Sequence, residues 1–74
     1  MTLEVQLKAQ TIRLEMDLVR QDAQAFRFAL NLMAMRSQCP QKFGAHPLVQ
    51  KLKVQVDEWE KEHLDKLQQL YDAL

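Results

Sequence analysis

The chain has 74 residues, enough for one domain at most, and a domain this small is rarely stable without a metal, a disulfide or a partner. Ten Lys and Arg balance ten Asp and Glu, and this zero net charge argues against a protein that holds nucleic acid through phosphate contacts. The single cysteine, Cys39, excludes an internal disulfide, and no apolar run is long enough to span a membrane.

A seven-residue apolar repeat predicts a first helix from about Leu3 to Ser37. Its side chains recur alternately four and three residues apart, the spacing that drives helices to pack side by side. We call this set the first stripe: it consists of Val5, Ala9, Ile12, Met16, Val19, Ala23, Phe26, Leu30 and Met33.

A second stripe of apolar residues follows the first one two positions behind, interrupted only by Thr11 and Gln21. A single short partner helix can cover only one stripe, so the other is expected to dock on something else. The sequence leaves open which stripe faces the second helix. The second stripe consists of Leu7, Leu14, Leu18, Ala25, Phe28, Leu32 and Met35.

The only glycine and both prolines fall between Pro40 and Pro47, which predicts a hinge over about 38–46. Gly44 is expected in a turn with unusual backbone angles, and Pro47 suits the first turn of a second helix over about 47–73. Whether residues 41–44 form a helical turn stays open. The predicted fold is all-α: residues 1–74 form a single antiparallel two-helix hairpin, coiled-coil-like, completed by a partner or by oligomerisation.

The second helix carries a less regular repeat, in which Val49, Leu52, Val56 and Trp59 are followed by a slip of one residue. Arg13, Arg20 and Arg27 lie one heptad apart beside the first stripe. They either reach acids such as Glu58, Glu62 or Asp65 or form a solvated edge. The expected hairpin core is Val5, Ile12, Met16, Val19, Phe26, Leu30, Met33, Leu52, Val56, Trp59, Leu67 and Leu70.

Residues that could carry chemistry are few. His63 follows Trp59 by one helical turn and is expected to stack at the edge of the helix interface, while His46 is expected to help start the second helix. Cys39 and His46 are too few ligands for a closed metal site. We therefore expect a non-enzyme with no catalytic residues, no metal and no cofactor.

The opening Met1-Thr2-Leu3-Glu4 followed by Gln6-Leu7, the long amphipathic first helix and the hinge Cys39-Pro40-Gln41-Lys42-Phe43 resemble the YscE-like co-chaperones of bacterial type III secretion. The resemblance covers most of the chain through its layout. Pro47 so soon after Phe43, and the high charge content of the second helix, depart from that family's pattern.

The resemblance implies a cytoplasmic protein that pairs with a tetratricopeptide-like chaperone and keeps the needle subunit soluble before export. The absence of a basic start and cleavage site in Met1 to Leu7 also favours a cytoplasmic location. Hinge-side apolar residues then become candidate contacts. The predicted partner-binding residues are Leu7, Leu14, Leu18, Phe28, Leu32, Met35 and Phe43.

Two alternatives need no chaperone. Two hairpins can form a homodimeric four-helix bundle that acts as an adaptor or regulator, since homodimers are the commonest oligomers. A helical hairpin around a proline-containing turn is also the shape of a filament or needle subunit, which Pro40 and Pro47 favour.

Overall fold

A computed structural model describes residues 2–74, and the predicted all-α class is confirmed for them. Three helices follow one another: α1 spans Leu3–Arg36, α2 spans Pro40–Ala45 and α3 spans Pro47–Asp72. The start of α1 lies beside the end of α3, where an Arg13 Nη2–H donates to the Tyr71 hydroxyl at 2.6 Å. The two long helices therefore run antiparallel, as a hairpin, and no strand occurs in the part of the chain that the structure describes.

Local hydrogen bonds explain where α1 begins and ends. The Thr2 hydroxyl caps the helix by accepting the Val5 amide at 3.3 Å, and Glu4 places a negative charge in the first turn. At the other end both the Ser37 amide and the Ser37 hydroxyl donate to the Ala34 carbonyl, at 3.2 and 2.7 Å. Ser37 thus satisfies a carbonyl that the helix leaves without a partner.

The hinge answers one open question and corrects one expectation. Residues 40–45 form the short helix α2 inside the segment expected to be a hinge, with Pro40 in its first turn. Gly44 lies within α2 at a negative φ, so it supplies no unusual backbone angle. His46 then starts α3 by accepting the Leu48 amide on its Nδ1 at 3.1 Å, with Pro47 at the first helical position. Gln50 also donates from its side chain to the Gly44 carbonyl.

Very little of the chain is buried. Among the described residues only Ala23, Leu30 and Val49 are less than a tenth exposed. The molecule measures 57 × 18 × 10 Å, and its radius of gyration of 16.9 Å exceeds the roughly 11 Å of a compact domain of this length. The hairpin is thus a thin two-helix layer without an enclosed core. None of the helices in residues 2–74 combines the length and hydropathy needed to cross a membrane.

The contact between α1 and α3, which we call the seam, differs from the expected core at four positions. The first stripe does face α3, but Phe26, Met33, Trp59 and Leu70 are 41%, 55%, 38% and 58% exposed. The other members of the expected core are buried or half-buried: Val5, Ile12, Met16, Val19, Leu30, Leu52, Val56 and Leu67.

The physical reason is the pitch of a straight helix. A seven-residue repeat drifts by about 20° per heptad relative to a straight helix, so the seam passes to later residues along α1. Arg27 and Ala34 are half-buried where Phe26 and Met33 were expected. On α3, Glu60 and Tyr71 are half-buried one residue after Trp59 and Leu70.

Candidate protein-interaction surface

The second stripe lies on the side of α1 opposite the seam. Each of its members follows a first-stripe position by two residues, which is a rotation of about 200° around a helix. Leu14, for example, follows Ile12, which is half-buried, and is itself 64% exposed. Packing of α3 against the first stripe therefore leaves Leu14, Phe28 and Met35 exposed, whereas Leu7 and Leu18 border depressions that α3 residues also line.

Five of the seven predicted partner-binding residues are well exposed in the hairpin, and the other two, Leu32 and Phe43, are half-buried. Phe43 lies apart from the second stripe, in α2. The exposed members of the set are Leu7 at 54%, Leu14 at 64%, Leu18 at 56%, Phe28 at 63% and Met35 at 75%.

One edge of the seam is polar. Arg27 Nη2 lies 2.6 Å from Asp57 Oδ1 and 2.9 Å from Glu60 Oε1, so a single guanidinium joins α1 to two acids of α3. The guanidinium and Glu60 are only 34% and 21% exposed as side chains, whereas Asp57 is 65% exposed. Partial shielding from water makes this pair the best-placed ion pair between the two helices.

Glu60 first, and Asp57 next, raise the pKa of Arg27 above its already high ordinary value. A raised pKa on a cationic group stabilises the folded state at every pH below the ordinary pKa of that group. The contribution of Arg27 is lost only as the pH rises through the raised pKa. Arg27 therefore carries its charge for this ion pair at every pH at which a protein is normally handled.

The other two arginines of the heptad series are exposed, as the solvated-edge alternative predicts. Arg13 reaches α3 at Tyr71, with its guanidinium carbon 5.3 Å from the ring centre. Arg20 bonds instead to Asp17 of its own helix at 3.5 Å. None of the three pairs with the acids expected for them, Glu58, Glu62 and Asp65. Glu58 and Glu62 lie one and two residues after Asp57 and Glu60, and Asp65 lies five after Glu60, but all three are on other faces of α3.

The opposite edge of the seam is apolar and open. Phe26 and Trp59 border one surface depression together with Leu52, and this depression continues toward the hinge past Met33 and Leu48. In the other direction it continues past Trp59 to Leu18 and Leu67. We call this surface the open groove; its exposed apolar residues are Leu18, Phe26, Met33, Leu48 and Trp59.

His63 lies beside Trp59 within the open groove. The two ring centres are 4.7 Å apart at an angle of 38°, and His63 Nδ1 lies 2.9 Å from the Trp59 carbonyl oxygen. With that nitrogen protonated, it donates to the carbonyl and keeps the imidazole beside the indole. The imidazole is thus held beside the partly exposed indole.

The sequence patterns missed the open groove as a surface. Phe26, Met33 and Trp59 were assigned to the core, and Leu48, which is 60% exposed, belonged to no stripe. Apolar residues plotted on a straight helix of 3.6 residues per turn, instead of the 3.5 of a heptad repeat, place Phe26 outside the seam. This plot would have indicated the groove.

The chemistry-bearing side chains are scattered. Cys39 is an exposed free thiol before α2, His46 caps α3 and His63 stacks on Trp59. Within residues 2–74 no three His, Cys, Asp or Glu side chains come together as a metal site. The notable surfaces of the hairpin are accordingly the second stripe and the open groove.

Comparison with known proteins adds no relative to this description: the chain matches no protein-family model, no curated protein and no solved structure.

Proposed function

We propose that this hairpin is a non-enzymatic protein-interaction module whose second stripe docks on a helical-repeat chaperone. The specific role that the family resemblance implies is that of a type III secretion co-chaperone, which together with the larger chaperone keeps the needle subunit from polymerising. The observation that carries the proposal is the exposure of Leu14, Phe28 and Met35 of the second stripe, on the side of α1 turned away from α3.

The shape of the stripe supports a concave partner. From Leu7 to Met35 it follows one straight helix for about 40 Å, at about 1.5 Å per residue. Helical-repeat proteins present extended concave surfaces that can follow a helix over such a distance. Apolar anchors three and four residues apart are the usual contacts when a helix lies in a groove.

Exposed apolar area supports the same proposal. Folded monomers rarely expose contiguous apolar patches larger than a few hundred Å², because water disfavours them. Leu14, Phe28 and Met35 are each more than 60% exposed, whereas three side chains of residues 2–74 are buried. A partner on this face would supply the burial that the hairpin lacks.

The test is a binding assay against tetratricopeptide-repeat chaperones from the same genome, with the needle subunit present. Leu14→Glu and Leu32→Glu are expected to abolish the complex while circular dichroism shows helicity retained. Asn31→Glu, one residue before Leu32 on the polar side of α1, is the matched control and is expected to bind normally. The stripe is the wrong surface if both leucine variants still bind, and failure of the unmodified chain to bind any such chaperone overturns the co-chaperone role.

A further inference from the structure

We infer that the open groove binds a second copy of this chain, with the two hairpins antiparallel, to form a four-helix bundle. The groove lies on the edge of the seam and is distinct from most of the second stripe, so this inference does not depend on the proposed function. Its support comes from surface area, from charge and from the symmetry of the apolar residues.

The area that the chain exposes is too large for a monomer of its mass. A folded monomer of 8.7 kDa exposes about 4,700 Å² by the usual scaling, whereas this chain exposes 6075 Å². The excess of about 1,300 Å² is more than the roughly 800 Å² that each partner buries in a standard protein interface. A second copy therefore brings the exposed area per chain back toward that of a compact protein.

Charges along the groove differ between its two ends. The hinge end is bordered by the cation Lys42, while the part beyond Trp59 is bordered by the acids Glu15 and Asp22, with Lys66 beside them. In a parallel dimer Lys42 would meet Lys42 and Asp22 would meet Asp22. Antiparallel copies instead bring Lys42 of each chain to the acids of the other, and complementary charges of this kind fix orientation.

Distances along α1 match this pairing about a two-fold axis at Phe26. Asp22 and Glu15 lie four and eleven residues before Phe26, or about 6 and 16 Å along the helix. Lys42 borders the same depression as Met33, which is seven residues after Phe26, or about 10 Å. The axis therefore carries Lys42 of one copy to a level between Asp22 and Glu15 of the other.

Apolar residues obey the same symmetry. Met33 and Leu18 lie seven residues after and eight residues before Phe26, so the axis brings Met33 of one copy onto Leu18 of the other. Phe26 and Trp59, which border one depression, fall at the centre of the interface. Aromatic side chains at a central, desolvated position are typical of the residues that dominate binding energy. Leu14, Phe28 and Met35 stay uncovered in this bundle.

The experiment is light scattering over a hundredfold concentration range, with circular dichroism on the same samples. Twice the chain mass of 8.7 kDa is expected for the unmodified protein. Phe26→Glu is expected to give a helical monomer because each copy would place a carboxylate at the axis. Phe28→Glu makes the same change two residues later, on the second stripe, and is expected to stay dimeric.

Two further measurements keep the inference falsifiable if Phe26→Glu does not fold. Leu48→Glu changes a residue that is 60% exposed and is expected to abolish the dimer while remaining helical. Trp59 is the only tryptophan, so dilution of the unmodified protein is expected to shift its emission to longer wavelength as the dimer dissociates. A mass of one chain at every concentration, or a dimer that survives both glutamates, overturns the inference.

Orientation is tested with spin labels on Cys39, the only cysteine, which is exposed. α1 continues for ten residues, or about 15 Å, beyond Phe26 and Cys39 follows three residues later, so antiparallel copies place the labels about 30 Å or more apart. Parallel copies place them side by side, and that result would overturn the antiparallel arrangement. Binding of a chaperone without a mass of two chains would reject the dimer and leave the proposed function standing. A mass of two chains without binding of any chaperone would reject the proposed function and leave the dimer standing.

Discussion

At one level of the hairpin, one edge of the seam is apolar and the other is charged. Phe26 and Arg27 are neighbours in α1, and Trp59 and Glu60 are neighbours in α3. A rotation of about 100° per residue sends Phe26 and Trp59 to the open groove but Arg27 and Glu60 to the polar edge. The charges of the polar edge pair within the chain, whereas the apolar edge stays exposed, and it is there that we propose a second copy binds.

The largest expected effect removes the packing that both edges share. Leu30→Ala deletes a side chain that is 6% exposed beside Val49, and cavities of this kind cost about 2–5 kcal/mol. Urea unfolding followed by circular dichroism measures the loss at one fixed protein concentration. Leu14→Ala, on the exposed second stripe, is the control and is expected to change stability by less than about 0.5 kcal/mol. Equal losses in the two variants would mean that Leu30 is not a core residue.

The pairing of α3 with α1 depends on where α3 begins. His46→Ala removes the acceptor of the Leu48 amide, and loss of an N-cap costs about 1 kcal/mol. His46→Asn is expected to recover most of that stability, because an asparagine side chain also accepts this amide. Thermal unfolding compares the three proteins. If alanine and asparagine destabilise equally, the imidazole has another role than capping.

A stabilising change at the hinge should leave both edges as they are. Gly44 lies in α2 at a negative φ, and a Cβ built on it meets no atom within 4 Å. Gly44→Ala is therefore expected to add about 0.4–1 kcal/mol, chiefly by restricting the unfolded chain. The midpoint of thermal unfolding should rise while the mass in solution stays constant. A fall in the midpoint would contradict the helical conformation of residues 40–45.

The smallest expected effect concerns the polar edge alone. Arg27→Met keeps an apolar stem but leaves Asp57 and Glu60 without their shared cation, so a modest loss of stability is expected. Arg20→Met is the matched control, since Arg20 bonds only within its own helix, to Asp17. Raising the salt concentration should narrow the gap between the unmodified protein and Arg27→Met, because salt screens partly exposed pairs. A gap that salt leaves unchanged would assign the effect to packing.

Sequence patterns predicted the elements of this fold better than its details. The cluster of Pro40, Gly44 and Pro47 located the break, and α1 and α3 begin and end within one residue of the expected positions. The helix α2 was left open because six residues with a central glycine carry no usable periodicity. The prediction that Gly44 supplies an unusual backbone angle was wrong. Gly44 lies in a helix at a negative φ, and a Cβ there would have free space.

The side-chain assignments show what a period can and cannot determine. Periodicity alone could not choose which stripe faces α3, because both stripes are regular; in the structure the first stripe does, and its members Ala23 and Leu30 are buried. Small errors of period accumulate, however, and a drift of about 20° per heptad is enough to move Met33 out of the seam. The partners of Arg27 depend on that same rotation, so no charge pattern alone could choose Asp57 and Glu60 over their neighbours.

The thinness of the hairpin also governs how it tumbles. A body 57 Å long and 10 Å thick turns much more slowly end over end than about its long axis. Amide N–H bonds in α1 and α3 point nearly along that axis, because helical hydrogen bonds do. Their nuclear relaxation therefore reports the slow rotation almost exclusively, and a lone hairpin will show the correlation time of a considerably heavier globular protein.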